Sequence, residues 1–248
     1  MHGSHPPPIA PDLLLQAYRL GIFPMSDARD DPDIFWVEPK RRAIIPLDRF
    51  RPSRSLAKAI RQDRYRVTLD EDFDGVIAAC ASPRADHAES WISQRIAASY
   101  RLLHAAGHAH SVECWDGERL VGGLYGVAFD RVFCGESMFA RADNASKVAL
   151  AWLVAALRRA GFTLLDCQFM TAHLATLGAI ELAQADYVSL LDVARSAPPA
   201  CSLAEAFGEL AGRGDGLARS SPASPDAAGA GASSSPGKRI LQSLTQTS

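Results

Sequence analysis

Apolar positions recur with a period of about two through residues 110–136 and with a helical period on either side, so the chain predicts a strand-rich centre set between helices. DLLLQAYRLGIF at residues 12–23 predicts an amphipathic helix capped by Asp12, with Leu13, Ala17 and Leu20 on one face and Gly21 and Pro24 closing it. AIIPL at 43–47 is a strand candidate. Ser53 then caps a helix through about Gln62, with Leu56 and Ile60 on its docking face and Arg54, Lys58 and Arg61 on another. Helices follow at 75–80 and 90–106, the second closed by Gly107. Strands at 110–115 and 119–129 flank Asp116-Gly117, a strong hairpin signal, and Asp130-Arg131 leads into a third strand through Glu136. Glycines at 122, 123 and 126 weaken that meander and predict a bulge or a close approach by a ligand. Beyond it come a helix at 144–159 ended by Gly161, a strand at 163–169, a short helix at 171–177 ended by Gly178, and a last ordered stretch at 187–194.

Two of these runs carry polar groups that need a reason. In Phe133-Cys134-Gly135-Glu136-Ser137-Met138-Phe139 a carboxylate sits among apolar side chains, where burial without a partner costs several kcal/mol, roughly 2 to 7 even for a neutral polar group. In Leu164-Leu165-Asp166-Cys167-Gln168 strand alternation predicts Asp166 and Gln168 side by side on one face, with Cys167 packing on the other. Such groups are either well bonded or chemically active.

With 48% hydrophobic and 22% charged residues in 248, the chain can bury a substantial core. No apolar run approaches the roughly 18 residues of a membrane span, and MHGSHPPPIAPD lacks the regions of a secretory signal, so the cytoplasm is the expected compartment. Five cysteines without a C-x-x-C predict reduced, buried thiols. His104, His108 and His110 are split by Gly107 and lack a fourth ligand, so no metal is expected. The net charge of −2 conceals ten Lys or Arg between residues 40 and 66 against Asp48 and Asp63, a local excess suited to a polyanion such as RNA. From about Ser196 the chain turns to Ala, Ser, Gly and Pro, and residues 212–248 predict a disordered tail.

Over roughly residues 12–195 the chain resembles the leucyl/phenylalanyl-tRNA–protein transferase family. The motifs are YRLGIFPMS, the Trp36 segment with AIIPLD behind it, SWIS, GHAHSVECWDGERLVGGLYGVAF, FCGESMFARADNASK and LLDCQFMTAHLATLGA. The resemblance implies an α+β fold: a small N-terminal domain (1–66) with the basic helix, then an acetyltransferase-like, GNAT-like domain (67–195) with a mixed, largely antiparallel sheet flanked by helices. Residues 196–248 would be a largely disordered tail. It also implies transfer of leucine or phenylalanine from leucyl-tRNA or phenylalanyl-tRNA to proteins or peptides with N-terminal Arg or Lys, marking them for degradation by the N-end rule, with no cofactor, membrane or DNA involved.

By the same resemblance, the catalytic residues are Asp166 and Gln168, with Glu136 in the active site. Gln168 would accept a hydrogen bond from the attacking amine while Asp166 orients its amide, leaving Glu136 to meet a substrate cation. Trp36 and Trp91 match the aromatic residues around the terminal adenosine, and Leu124, Phe133, Met138, Leu150 and Leu153 match the amino-acid pocket. Arg54, Lys58 and Arg61 would hold the acceptor stem through its phosphates. FWVEPKRR departs from the pattern, since two adjacent tryptophans and a serine are more usual there. Two rival readings are a coenzyme A-dependent N-acetyltransferase and a non-catalytic RNA-binding module. The first lacks a phosphate-cradling loop, because Arg119-Leu-Val-Gly-Gly-Leu falls in a predicted strand.

Overall fold

Strands β5 (Ala109–Asp116), β6 (Arg119–Phe129) and β7 (Val132–Ala140) form the antiparallel meander that the Asp116-Gly117 turn predicts, with Gly117 in the left-handed region at φ +58°. The structure, a computed structural model, describes residues 6–83, 90–212 and 234–245. The meander carries the predicted bulge, a register shift between Tyr125 and Gly126. Its glycines serve packing. A Cβ on Gly122 would lie 2.4 Å from that of Ala145, so the helix beginning there seats directly on β6.

That helix, α5 (Ala145–Arg159), buries most of its length, as its nearly continuous VALAWLVAAL run requires. It shares one face of the sheet with α2 (Arg54–Arg61), α8 (Leu203–Ala211) and α9 (Pro236–Thr245). On the other face lie α1 (Pro11–Arg19), α3 (Phe73–Cys80), α4 (Gln94–Ala105) and α7 (Gln184–Arg195), around a second apolar core. Four more strands complete the large sheet: β3 (Arg41–Ile44), β4 (Arg66–Leu69), β8 (Leu164–Asp166) and β9 (Ile180–Ala183). The order is β4-β5-β6-β7-β8-β3-β9, with β7 and β8 parallel and the other pairs antiparallel. The result is the expected α+β fold with a mixed sheet flanked by helices. Near the N-terminus, β1 (Phe23–Met25) and β2 (Phe35–Val37) make a separate two-stranded sheet, while β3 joins the large one. Among the described residues no helix is long and apolar enough to cross a membrane.

The parallel pair opens the molecule. Pairing runs from Val132 with Leu164 to Cys134 with Asp166, where β8 stops and β7 continues to Ala140. The second half of β7 has lost that neighbour, and a crevice lies outside the carboxyl ends of the two strands.

Three expectations are corrected. The helix of the first segment buries Leu14 and Tyr18, leaving Leu13 and Leu20 exposed, and Pro11 rather than Asp12 begins it. The strand expected at 163–169 ends at Asp166, because Gln168 adopts a left-handed φ of +59°. The stretch 196–248 is not largely disordered where it is described. Ser202 and Glu205 form a capping box for α8, whose Leu203, Ala206, Phe207 and Leu210 are buried, and Ile240 and Leu244 of α9 are fully buried against α2 and α5. The surrounding Ala-, Ser-, Gly- and Pro-rich composition hides these helices, because four buried apolar side chains on α8 and two on α9 suffice when a groove is already built. The rest of the expected tail, 213–233 and 246–248, lies outside the described residues.

If α9 is part of the core, Ile240→Ala lowers unfolding free energy by about 2 to 5 kcal/mol in chemical denaturation. An unchanged midpoint would return α9 to the tail.

Candidate active site

Where β7 and β8 part, a cavity of about 750 Å³ is lined by Trp91, Leu124, Glu136, Met138, Leu150, Leu153, Leu165, Cys167, Gln168 and His173, among others. Its size suits a small ligand, and its apolar wall with few polar groups is the common make-up of such a site. Much of the apolar side comes from β6, β7 and the flank of α5; the polar groups include Glu136 and Ser137 of β7, Arg141 just after it, Ser146 of α5, Ser82 after α3, Gln168 in the turn after β8, and Thr171 and His173 at the start of the short helix α6 (Ala172–Thr176).

That turn is held from behind. Asp166 is fully buried and meets an equally buried Arg42 on β3 in a two-pronged ion pair, Nε to Oδ1 at 2.9 Å and Nη2 to Oδ2 at 2.6 Å. The guanidinium lies between the rings of Phe23 and Tyr187, 4.8 and 4.5 Å from their centres, and its Nη1 donates to the Gly21 carbonyl at 2.9 Å. Burial works against the charge on Arg42, but Asp166 outweighs it and holds the pKa above the ordinary arginine value. Tyr187 donates its hydroxyl to Asp166 Oδ2 at 3.0 Å, and the Gln168 backbone N–H donates to Oδ1 at 2.9 Å. Each carboxylate oxygen therefore has two donors.

The geometry differs from the expected side-by-side pair. Asp166 grips the backbone of Gln168, not its amide, and the left-handed Gln168 turns its side chain across to β7. There Nε2 donates to Glu136 Oε1 at 2.7 Å. Oε2 of Glu136 accepts from the Tyr100 hydroxyl at 2.9 Å, and Tyr100 is joined in turn to the hydroxyl of Tyr18. With the amide nitrogen committed to a carboxylate, the Gln168 carbonyl oxygen is left without a hydrogen bond among the described residues, on a side chain that lines the cavity. Burial pushes the Glu136 carboxyl up to about 7; hydrogen bonds from Tyr18 and Tyr100 pull it down, the charge of Asp166 pushes it up, and Arg42 pulls it down. The hydroxyls of Tyr18, Tyr100 and Tyr125 are pushed well above the tyrosine range by burial and by the charge of Glu136, so all three stay protonated.

The other expected site residues divide. Trp91, Leu124, Met138, Leu150 and Leu153 line the cavity with Glu136 and Gln168. Phe133 does not: it is fully buried behind the wall, its ring pressed on Gly126. Trp36 stands on β2, 42% exposed and outside the lining set. Arg54, Lys58 and Arg61 are exposed on α2, away from the cavity. Cys167 lines the cavity instead of packing opposite it, but burial pushes its thiol far up and leaves it unreactive. Arg42, Tyr18, Tyr100 and Tyr187 went unrecognised in the sequence. Within the basic run Arg42 reads as one more surface cation, although its place directly before the apolar residues of β3 is a signal that it enters the sheet.

A family model described as leucyl/phenylalanyl-tRNA protein transferase matches residues 44–192, and one for the N-terminal domain of the same family matches residues 8–40. A protein of Novosphingobium aromaticivorans named leucyl/phenylalanyl-tRNA–protein transferase is 56% identical over 264 residues, covering 100% of both chains. Proteins of the same name from Rhizorhabdus wittichii and Zymomonas mobilis are 61% and 58% identical, covering 75% and 76% of this chain and 75% and 70% of theirs. A solved structure titled as L-PGS from Bacillus licheniformis aligns at TM-score 0.35 and 13% identity over 66% of this chain and 55% of that one, too slight a likeness to argue from.

Glu136 holds its proton to higher pH folded than unfolded, so its contribution to stability is complete below about 4.5 and is lost as pH rises to about 7. Glu136→Gln removes that part of the pH dependence of unfolding free energy. A variant with the native slope between those limits would show that Glu136 titrates normally.

Proposed function

The chain belongs to the leucyl/phenylalanyl-tRNA–protein transferase family, and we propose that it moves leucine or phenylalanine from a charged tRNA to the N-terminal Arg or Lys of an acceptor protein, in the crevice between β7 and β8. The observation that carries the assignment of roles is the Glu136–Gln168 hydrogen bond, which fixes which end of the amide faces the cavity.

The donor is an ester already activated toward amines, so the site has to position it, exclude water and present a neutral amine. The attacking nitrogen bonds to the ester carbonyl carbon, the bond to the ribose oxygen breaks, and an amine proton ends on the departing hydroxyl. An α-amine has a pKa of about 7.7 to 8.0, so near neutrality only a minor fraction is free to attack. The Gln168 carbonyl accepts a hydrogen bond from that amine and aims its lone pair at the ester. Asp166 and Arg42 hold the turn that carries the amide and touch no substrate. Glu136, ionised above about 7, balances the cation of the acceptor terminus, which accounts for a preference for Arg or Lys.

The donor side chain enters the apolar wall of Leu124, Met138, Leu150 and Leu153. Leucine and phenylalanine are unbranched at Cβ, and Met138 adapts to either. Trp91 offers a ring at the cavity for the terminal adenine, with Trp36 the outer platform; stacking is worth about 1 to 3 kcal/mol per base. Arg54, Lys58 and Arg61 bind phosphates of the acceptor stem. We also read the large sheet as acetyltransferase-like, since a parallel pair that parts within a largely antiparallel sheet supports that class. A coenzyme A-dependent reaction is not favoured, because Arg119 to Leu124 runs inside β6, with no helix start to cradle a pyrophosphate. A tRNA-dependent reaction supports a cytoplasmic location.

Leucyl-tRNA with an Arg-initiated peptide yields leucine on the peptide's amino terminus; no product from folded protein would overturn the reading. Gln168→Ala lowers the transfer rate about a hundredfold with little change in tRNA affinity, measured by single turnover and by equilibrium binding.

A further inference from the structure

The C-terminal helix α9 docks by its own N-terminus on the end of the cationic helix α2. Gly237 is buried, and a Cβ there would lie 1.8 Å from the Ile60 carbonyl oxygen, so no other residue permits the approach. Its backbone N–H donates to Asp63 Oδ1 at 2.7 Å. Asp63 is the one acidic residue between Ser53 and Arg66, and it meets the positive end of a helix. At the far end of α9, Arg158 of α5 donates to the carbonyls of Ser243 and Leu244 at 3.3 and 3.1 Å, and Ile240 and Leu244 are sealed into the core. Both ends of the helix and its apolar face are thus fixed.

What remains outward is polar. Lys238 is exposed next to Gly237, and Gln242 and Thr245 follow on the same open side. On α2 and just after it, Arg54, Lys58, Arg61 and Arg64 are exposed, and among the described residues neither they nor Lys238 is in an ion pair. Other cations of the 40–66 run are already spent: Arg42 on Asp166, Arg41 on Glu181 and Arg66 on Glu71. Arg61, Arg64 and Lys238 therefore stand without ion pairs around the junction of α9 with α2, with Lys58 and Arg54 one and two turns back along α2, and the Asp63 carboxylate between Arg61 and Arg64 in the chain is engaged by the N-terminus of α9.

We propose that α9 is part of the tRNA-binding face, with Lys238 contacting a backbone phosphate beside those held by α2. The inference rests on the reading of α2 as the acceptor-stem site. Docking of α9 sets the positive end of a helix against Asp63, which offsets part of its repulsion for RNA, and adds a cation at the end of the α2 stripe. A polyanion with regularly spaced charges is the partner such a surface fits, and each phosphate contact adds about 0.9 to the slope of log affinity against log salt on a duplex.

The test is equilibrium binding of tRNA to the full chain across a salt series, for Lys238→Ala, Lys238→Glu and the triple change Arg54→Ala, Lys58→Ala, Arg61→Ala. Lys238→Ala is expected to weaken binding roughly fivefold at low salt, to reduce the slope by about one, and to leave the thermal midpoint unchanged. Lys238→Glu is expected to weaken it further. Native affinity and slope in both Lys238 variants, with a weakened triple variant, overturn the role of α9 alone. Native binding by the triple variant overturns the reading of α2 on which the inference stands. Loss of affinity with an unchanged slope assigns Lys238 a structural part and also overturns the phosphate contact.

Discussion

A guanidinium and a carboxylate sealed from water join segments that lie far apart in the chain. Arg42 on β3 and Asp166 at the end of β8 are held together by two hydrogen bonds, with Gly21, Phe23 and Tyr187 closing around them. Two ions in so dry a place survive only if nearly every donor and acceptor is used, and breaking such a pair from one side costs about 3 to 5 kcal/mol. The pair fixes where β8 stops and how the chain turns after it, because the remaining capacity of Asp166 goes to the Gln168 N–H. A left-handed glutamine is uncommon, and this grip is what sustains it.

The site follows from that turn. Gln168 reaches across the gap left where β7 outruns β8 and binds Glu136, which is itself anchored through Tyr100 to Tyr18 on α1. The N-terminal helix, the meander and the turn after β8 thus share one hydrogen-bonded network, with the apolar crevice along its side. Glu136 is almost wholly buried, which pushes its carboxyl up to about 7, and its hydrogen bond from Nε2 of Gln168 sets the direction of the free amide carbonyl.

Much of this was legible in the chain. The hairpin at Asp116-Gly117, the capped helix after Ser53 and the long buried helix α5 follow from local turn chemistry and periodicity. Glu136, Asp166 and Gln168 stood out as polar groups in apolar runs, and Glu136 and Gln168 do line the cavity. What alternation could not foresee is that Asp166 faces Arg42 while Gln168 turns away, since a left-handed residue breaks the period of two. Arg42 is hidden by its neighbours: in a run of ten cations its place directly before the apolar residues of β3 is the one local sign, and the acid it meets lies 124 residues further on. Phe133 belongs to an apolar stretch whose burial was plain, but which side of the wall it takes depends on the bulge at Gly126. Helices α8 and α9 were masked by composition, because their apolar partners on α2 and α5 lie far away in sequence.

If Asp166 acts through Gln168 and not on the substrate, a double-mutant cycle separates the two roles. Transfer of leucine from leucyl-tRNA to an Arg-initiated peptide is measured, as kcat/KM, for Asp166→Asn in the native chain and in Gln168→Ala. Asp166→Asn is expected to slow the native enzyme but to have no further effect once the glutamine side chain is gone. An equal fractional loss in both backgrounds would contradict it, and would make Asp166 an independent participant in the chemistry.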